Sequence, residues 1–271
     1  TIDQTAAYHT MSSESLLGLP FRAFANLVIG FLVFGVALQR TGGGEFFINL
    51  SMALLGGVRG GAAKVAIVSS GLMGSMSGSV ITNVLTTGQL TIPAMQKSGI
   101  SKETAAGIEA CASTGGVLLP PIMGSTAFVM ATFLQVPYYE VAVAAAIPAV
   151  LYFGALFMQI DSYAGRNNVS GLPPEAIPRL GPTLRGGWYY LGAFAVLVVL
   201  LLVLQREALA PWIATGVLLV LNQFSRAHRW GWMDAVRFLE SVGGLLVELL
   251  AIIDSSETHF VRCIKPNLFK K

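Results

Sequence analysis

The stretch Ser69–Met95, SSGLMGSMSGSVITNVLTTGQLTIPAM, constrains this chain more than any other. It is apolar enough to lie in a bilayer, yet it is crowded with Gly, Ser, Thr and Asn and closes on Pro93. An ordinary spanning helix is filled with Leu and Val, because hydrocarbon offers side chains no hydrogen-bond partners. Here Gly71, Gly74, Gly78 and Gly88 loosen the backbone, while Ser75, Ser77, Ser79, Thr82 and Asn83 supply oxygens at the same place. The pattern predicts a re-entrant hairpin: one half-helix in, a turn near Ser77-Gly78-Ser79, and a second half-helix back out. Interrupted backbone at membrane depth is tolerated only where it lines a cavity or is buried in protein. The spacing of Gly74 and Gly78 taken alone suits simple helix packing equally well. The adjacent hydroxyls, Asn83 and a second broken element further on favour a site.

That second element is Thr104–Leu119 with the residues after it, ETAAGIEACASTGGVLLPP from Glu103 onward. Pro120-Pro121 cannot continue a helix, since proline lacks a donor and clashes with the preceding turn. The carbonyls freed around Thr114, Gly115, Gly116 and Pro120 need partners, and a broken helix can point them at a cation. Helix is expected to resume over Ile122–Gln135. Glu109 is a buried-carboxylate and functional candidate, since carboxylates in membrane segments are costly; because it lies two turns past Glu103, facing a lumen or reaching the nearby interface is the favoured expectation. Lys64 and Arg59 are expected to be boundary charges rather than ligands.

With 54% hydrophobic and 11% charged residues and a mean hydropathy of +0.67, the chain cannot cover itself with a solvated surface; soluble domains carry about 25% charge. An all-α, polytopic membrane protein follows. The net charge of +3 is spread out, with no basic run suited to nucleic acid. Cys111 and Cys263 suggest neither a disulfide framework nor a metal cluster, and His9, His228 and His259 lack metal-ligand spacing. No Ser is paired in sequence with a usable His or Asp, so an enzyme is not expected.

In chain order, residues 1–16 form a polar N-terminal segment and 17–160 a membrane region that holds the hairpin and the broken helix. Within that region Leu19–Gln39 is long enough to span. Arg22 and Arg40 can snorkel to the interfaces. Glu45–Val58 is an expected interfacial helix, and Val141–Gln159 is a span with a kink at Pro148. Residues 161–187 form a polar connection. Residues 188–253 carry further spans, in which Trp188, Tyr189 and Tyr190 are expected to form an interfacial belt. Residues 254–271 are a polar tail of foreign character. The chain opens at Thr1 without an initiator Met, which suggests a piece of a longer protein.

GSMSGSVITNVLTTGQLTIPAM followed by STGGVLLPPIMGSTAF resembles the large membrane subunit of tripartite ATP-independent periplasmic (TRAP) transporters, the fused permease form above all. The flanking LVFGVALQRTGGGEFFINLSMALLGGVRGGAAKVAIVSSG and YYEVAVAAAIPAVLYFGALFMQIDSYA agree with it. The resemblance implies a sodium-driven secondary transporter that takes organic acids, typically carboxylates, from a periplasmic substrate-binding protein. It implies a small membrane subunit or its fused equivalent as partner, and a multi-pass place in the bacterial or archaeal inner membrane. It further implies one half of an inverted-repeat transport site here, with the hairpin tip at Ser77, Gly78 and Ser79 and the broken-helix turn at Thr114–Pro121. Asn83 stands where much of the family has Asp. No second hairpin unit occurs, so the chain is expected to hold half a site. Glu257–Asn267, ETHFVRCIKPN, resembles instead a segment of myosin motor domains, but the chain has no G-x-x-x-x-G-K-[ST] phosphate loop and motor activity does not follow.

Sodium is a hard cation suited to carbonyl and hydroxyl oxygens; Ser77, Ser79, Asn83 and Gly116 are the candidate ligands, and no other cofactor is expected. A channel would need a continuous polar path or charged rings, and the ionisable residues sit mainly at segment ends. A non-functional truncated or chimeric fragment, or a plain membrane scaffold, are the remaining readings.

Overall fold

The structure is a computed structural model that describes residues 28–224, 231 and 233–247. The described residues are helical throughout, without strands. In chain order the helices are α1 (Ile29–Arg40), α2 (Gly43–Leu55), α3 (Gly61–Ser77), α4 (Val80–Lys97) and α5 (Lys102–Gly116). They are followed by α6 (Ser125–Leu134), α7 (Tyr138–Arg166), α8 (Leu180–Val198, prolonged by a π turn over Val199–Val203) and α9 (Ala210–Phe224). A tenth helix, α10, runs over 233–247.

Local chemistry sets several of these boundaries. Gly99 takes a left-handed φ of 91° between α4 and α5, and Ser101 then caps α5 by accepting the Thr104 N–H at 3.3 Å. Pro137 precedes the first residue of α7, whose free Tyr138 N–H is taken by the Glu207 carboxylate from the α8–α9 loop at 2.6 Å. Helix α7 runs through Pro148 as a single 29-residue helix, about 43 Å long at the usual rise. That is more than a hydrocarbon core requires. Val143, Ile147, Val150, Leu151 and Met158 on α7 are all exposed, which suits contact with lipid tails. Helices α7 and 174–203 are the two long and apolar enough to cross a bilayer among the described residues.

Helix α3 is the centre of the molecule. It packs on α2, α4, α5 and α7, and its Ala, Ser and Gly residues let those neighbours approach closely. On one side Ala63, Ala66 and Ile67 of α3 meet Ile108 and Ala112 of α5 and Ile160 of α7. On the other, Met73 and Met76 join a larger core with Phe31, Phe34, Phe128 and Tyr138. Phe31, Phe128 and Tyr138 stack there in series, with ring centroids 4.8 and 4.2 Å apart.

The helices differ from the sequence expectation in four places. Tyr189 and Tyr190 are buried rather than in an interfacial belt; the Tyr190 hydroxyl donates to the Thr41 carbonyl and accepts from Tyr189 Oη at 3.0 Å. Only Trp188, 60% exposed, remains placed for the interface. The expected polar connection 161–187 is helical at both ends, because α7 runs on to Arg166 and α8 begins at Leu180. Asp161 is accommodated by pairing with Arg59 and with Lys64 Nζ at 2.5 Å, so Lys64 is a buried ion-pair member rather than an open boundary charge. The helix expected over Glu45–Val58 is α2, Gly43–Leu55, whose Phe46, Phe47 and Ile48 are buried; it packs against α3 and α8, which is more than an interfacial helix needs. Arg22, His9, His228, His259, Cys263 and the stretch Glu257–Asn267 lie outside the described residues.

Candidate functional site

The hairpin is present, with longer arms than its polar stretch alone marks. Helices α3 and α4, of 17 and 18 residues, are joined by Gly78 and Ser79 alone. Gly78 ends α3 in the left-handed region (φ 63°, ψ 5°), its N–H returned to the Gly74 carbonyl at 3.0 Å. Ser79 is extended and caps α4, with its Oγ accepting the Thr82 N–H at 3.4 Å. Thus the glycine reverses the chain and the serine starts the next helix, which is the division of labour that the two residue types favour.

The break after α5 is equally local. Pro120-Pro121 lies in an eight-residue turn, 117–124, closed by the Gly124 N–H on the Val117 carbonyl at 2.9 Å. The peptide between the two prolines is cis. Met123 occupies the left-handed region and Gly124 is extended, after which α6 begins at Ser125, three residues later than expected.

The two interruptions touch. A methyl group on Gly78 would lie 2.7 Å from the Met123 carbonyl oxygen. One turn back, a methyl on Gly74 would lie 2.7 Å from Gly116 Cα, and a methyl on Gly116 would lie 2.7 Å from the Ser70 carbonyl. Glycine is therefore required on both sides of this crossing for steric reasons. Between the tip and the turn is a cavity of about 300 Å³, whose wall includes Ser77, Gly78, Ser79, Val117, Met123 and Thr126. The N-termini of α4 and α6 and the C-terminus of α3 border it, with the residue that follows α5. Helix N-termini present unpaired N–H groups and partial positive charge, and C-termini present carbonyls and partial negative charge.

The candidate residues divide accordingly. Ser77, Gly78 and Ser79 line the cavity. Asn83 lies behind it, 1% exposed, with Nδ2 donating to the Ser70 carbonyl at 2.8 Å and Oδ1 buried without a hydrogen-bond partner. Gly116 closes the α3–α5 crossing beside it, and its carbonyl already accepts the Leu119 N–H at 3.2 Å. Thr114 is exposed and donates to the Ala110 carbonyl at 2.8 Å, which takes it away from the cavity. Gly115 faces α7, where a methyl would come within 3.1 Å of the Phe153 ring. Pro120 shapes the turn without lining the cavity.

Glu109 follows the buried-carboxylate reading rather than the lumen or interface one. It faces neither a lumen nor an interface but is fully buried between α3, α4 and α5. Ser70 donates to it at 2.6 Å, Thr91 at 2.5 Å and Ser113 at 3.4 Å, and Thr87 at a shorter separation. A signal for this cluster was available: Asn83, Thr87 and Thr91 recur every four residues and so share one face of α4.

The family model described as "Tripartite ATP-independent periplasmic transporter, DctM component" matches residues 1–261. The chain belongs to this family. A C4-dicarboxylate TRAP transporter large permease protein of Pseudomonas aeruginosa is 28% identical over 219 residues, which are 80% of this chain and 48% of that protein. An isethionate TRAP transporter permease of Oleidesulfovibrio alaskensis is 32% identical over 115 residues, 42% of this chain and 17% of that protein. A sialic acid TRAP transporter permease of Haemophilus influenzae is 32% identical over 113 residues, again 42% and 17%. The TRAP chain thus spans about half, or less, of the length of the curated relatives it matches. As a member of a transporter permease family it is a membrane protein and not an enzyme. The matched range reaches residue 261 and so enters the stretch Glu257–Asn267.

Proposed function

We propose that this chain supplies half of the transport site of a sodium-coupled permease. The permease imports organic acids, carboxylates foremost, delivered by a periplasmic binding protein across a bacterial or archaeal inner membrane, with a small or fused second membrane subunit. The observation that carries the reading is the meeting of two helix interruptions around one cavity, with glycine forced on both sides. Such interruptions are stable inside a bilayer only where something satisfies the freed main-chain groups. The N-termini of α4 and α6 suit an anionic substrate group. The orphaned Asn83 Oδ1, with the Ser77 and Ser79 hydroxyls and the main chain near Gly116, gives hard oxygen donors that suit sodium. A sodium ion bound there lowers the cost of carrying a negative charge through a low-dielectric region, which couples the two solutes. The relatives are named for a C4-dicarboxylate, isethionate and sialic acid, all anions.

The test is uptake into proteoliposomes that contain the full-length protein, its partner subunit and the binding protein, under an imposed sodium gradient. Ser79→Leu is expected to abolish sodium-dependent uptake while membrane insertion persists. Undiminished uptake by that variant removes the hairpin tip from the mechanism.

A further inference from the structure

The cavity side of the proposed cation site contains only neutral oxygens. Ser77, Ser79 and Asn83 are uncharged, and no acidic side chain lines the cavity among the described residues. A cation held in a low-dielectric interior by neutral dipoles alone lacks a compensating charge, and such a charge is costly to bury. Among the described residues, Glu109 is the one acidic side chain that is fully buried. Its neighbours on every side are hydroxyls: Ser70 from α3, Thr87 and Thr91 from α4, and Ser113 from its own helix. Gly88 of α4 leaves room for its side chain, since a methyl there would lie 3.3 Å from Glu109 Cγ. None of these groups carries positive charge, so the cluster offers the carboxyl hydrogen bonds but no counter-ion.

Ser70 joins this cluster to the site. Its carbonyl accepts from Asn83 Nδ2 at 2.8 Å, and its hydroxyl donates to Glu109 Oε1 at 2.6 Å. Thr87 makes a second link: its one hydroxyl proton lies within reach of both the Asn83 carbonyl at 2.8 Å and Glu109, and serves one of them at a time. One residue therefore separates Asn83 from the buried Glu109 carboxyl, along two routes. We propose that Glu109 is the counter-charge of the cation site: a positioning residue that acts on a monovalent cation at Asn83 through Ser70 and Thr87. In this arrangement the Asn83 oxygen supplies the direct contact and Glu109 supplies the field. The hydroxyl ring keeps the carboxylate fixed and dry, so its field is screened little. This role rests on the transport reading above but concerns charge rather than transport as such.

The experiment measures sodium binding, not uptake. The full-length protein is purified in detergent, and its melting temperature is followed as sodium chloride replaces choline chloride at constant ionic strength. Wild type is expected to gain stability as sodium saturates the site. Glu109→Gln is expected to need at least about tenfold more sodium for half the gain, as loss of a nearby charge in a low-dielectric site demands. Asn83→Asp placed in that variant is expected to restore much of the affinity, because it returns one negative charge to the cation's surroundings. An unchanged sodium response in Glu109→Gln overturns the proposal, as does absence of rescue in the double variant. Asn83→Asp alone leaves the hydroxyl ring intact and is expected to lower the sodium requirement several-fold; no change there also overturns it. If Glu109→Gln does not fold, Glu109→Asp is read instead: it keeps the acidic group but draws it back by one methylene, and an unchanged sodium requirement there overturns the proposal. A wild-type protein without any sodium response defeats the cation reading itself, a distinct result from a sodium-responsive wild type whose variants do not differ.

Discussion

At the scale of single residues, the site is shaped by positions where only one side chain fits. Gly78 combines a left-handed backbone with contact against the Met123 carbonyl. Gly78→Ala is expected to cost about 1–2 kcal/mol from backbone strain alone, and the 2.7 Å approach forces the tip and the turn apart besides. Uptake by the full-length protein should fall sharply while its level in the membrane is kept, read from transport against a western blot. Tyr190 shows the same dependence on a neighbour in the scaffold. Its hydroxyl serves the Thr41 carbonyl at the α1–α2 corner, where both partners are buried. Tyr190→Phe leaves that carbonyl without this donor, and a loss of about 1 kcal/mol is expected, seen as a lower melting temperature in detergent.

Among elements, the base of α3 is held to α7 by Asp161, which faces both Arg59 and Lys64. The Lys64 ammonium also lies 5.1 Å from the centre of the Phe157 ring, so it is shared between an ion pair and an aromatic face. Asp161→Asn strands a buried ammonium, which is far worse than never having the pair. A melting temperature lower by a few degrees is expected, and Lys64→Met in the same protein should recover most of it. No recovery would mean that Asp161 acts through Arg59 alone. The pair also explains the unexpected length of α7: a polar residue such as Asp161 reads as a helix end until its partners, 97 and 102 residues away, are in place.

For the whole molecule, the outer face of α7 is built for hydrocarbon. Leu151, near the middle of the helix, is 68% exposed with Ile147 and Val150 beside it. Leu151→Arg is expected to cost about 2.5–3.5 kcal/mol at the centre of a spanning helix. The variant should therefore show a smaller membrane-integrated fraction after alkaline carbonate extraction. If that fraction does not change, this face is covered by protein in the complete transporter rather than by lipid.

The chain's membrane character, its helical class, the hairpin turn at Ser77–Ser79 and the break at Pro120-Pro121 were all legible in the amino acids. Each follows from composition or from a local rule, in which glycine reverses a backbone, serine caps a helix and proline ends one, and no distant contact is required. Which way a helix is turned about its axis is not local. Tyr189 and Tyr190 carry the composition of an interfacial belt, yet α8 rotates them toward Thr41 and Phe46. Glu109 was a buried-carboxylate candidate in the sequence, but its place two turns from Glu103 left its depth open, and hydroxyls of α3 and α4 closing over it decided that. Thr114 and Gly115 sit beside Gly116 in the chain but face outward and toward α7, since successive helical residues point about 100° apart. The sequence alone thus determined where the backbone is interrupted; the packing of α3, α4 and α5 decided which polar groups those interruptions bring together.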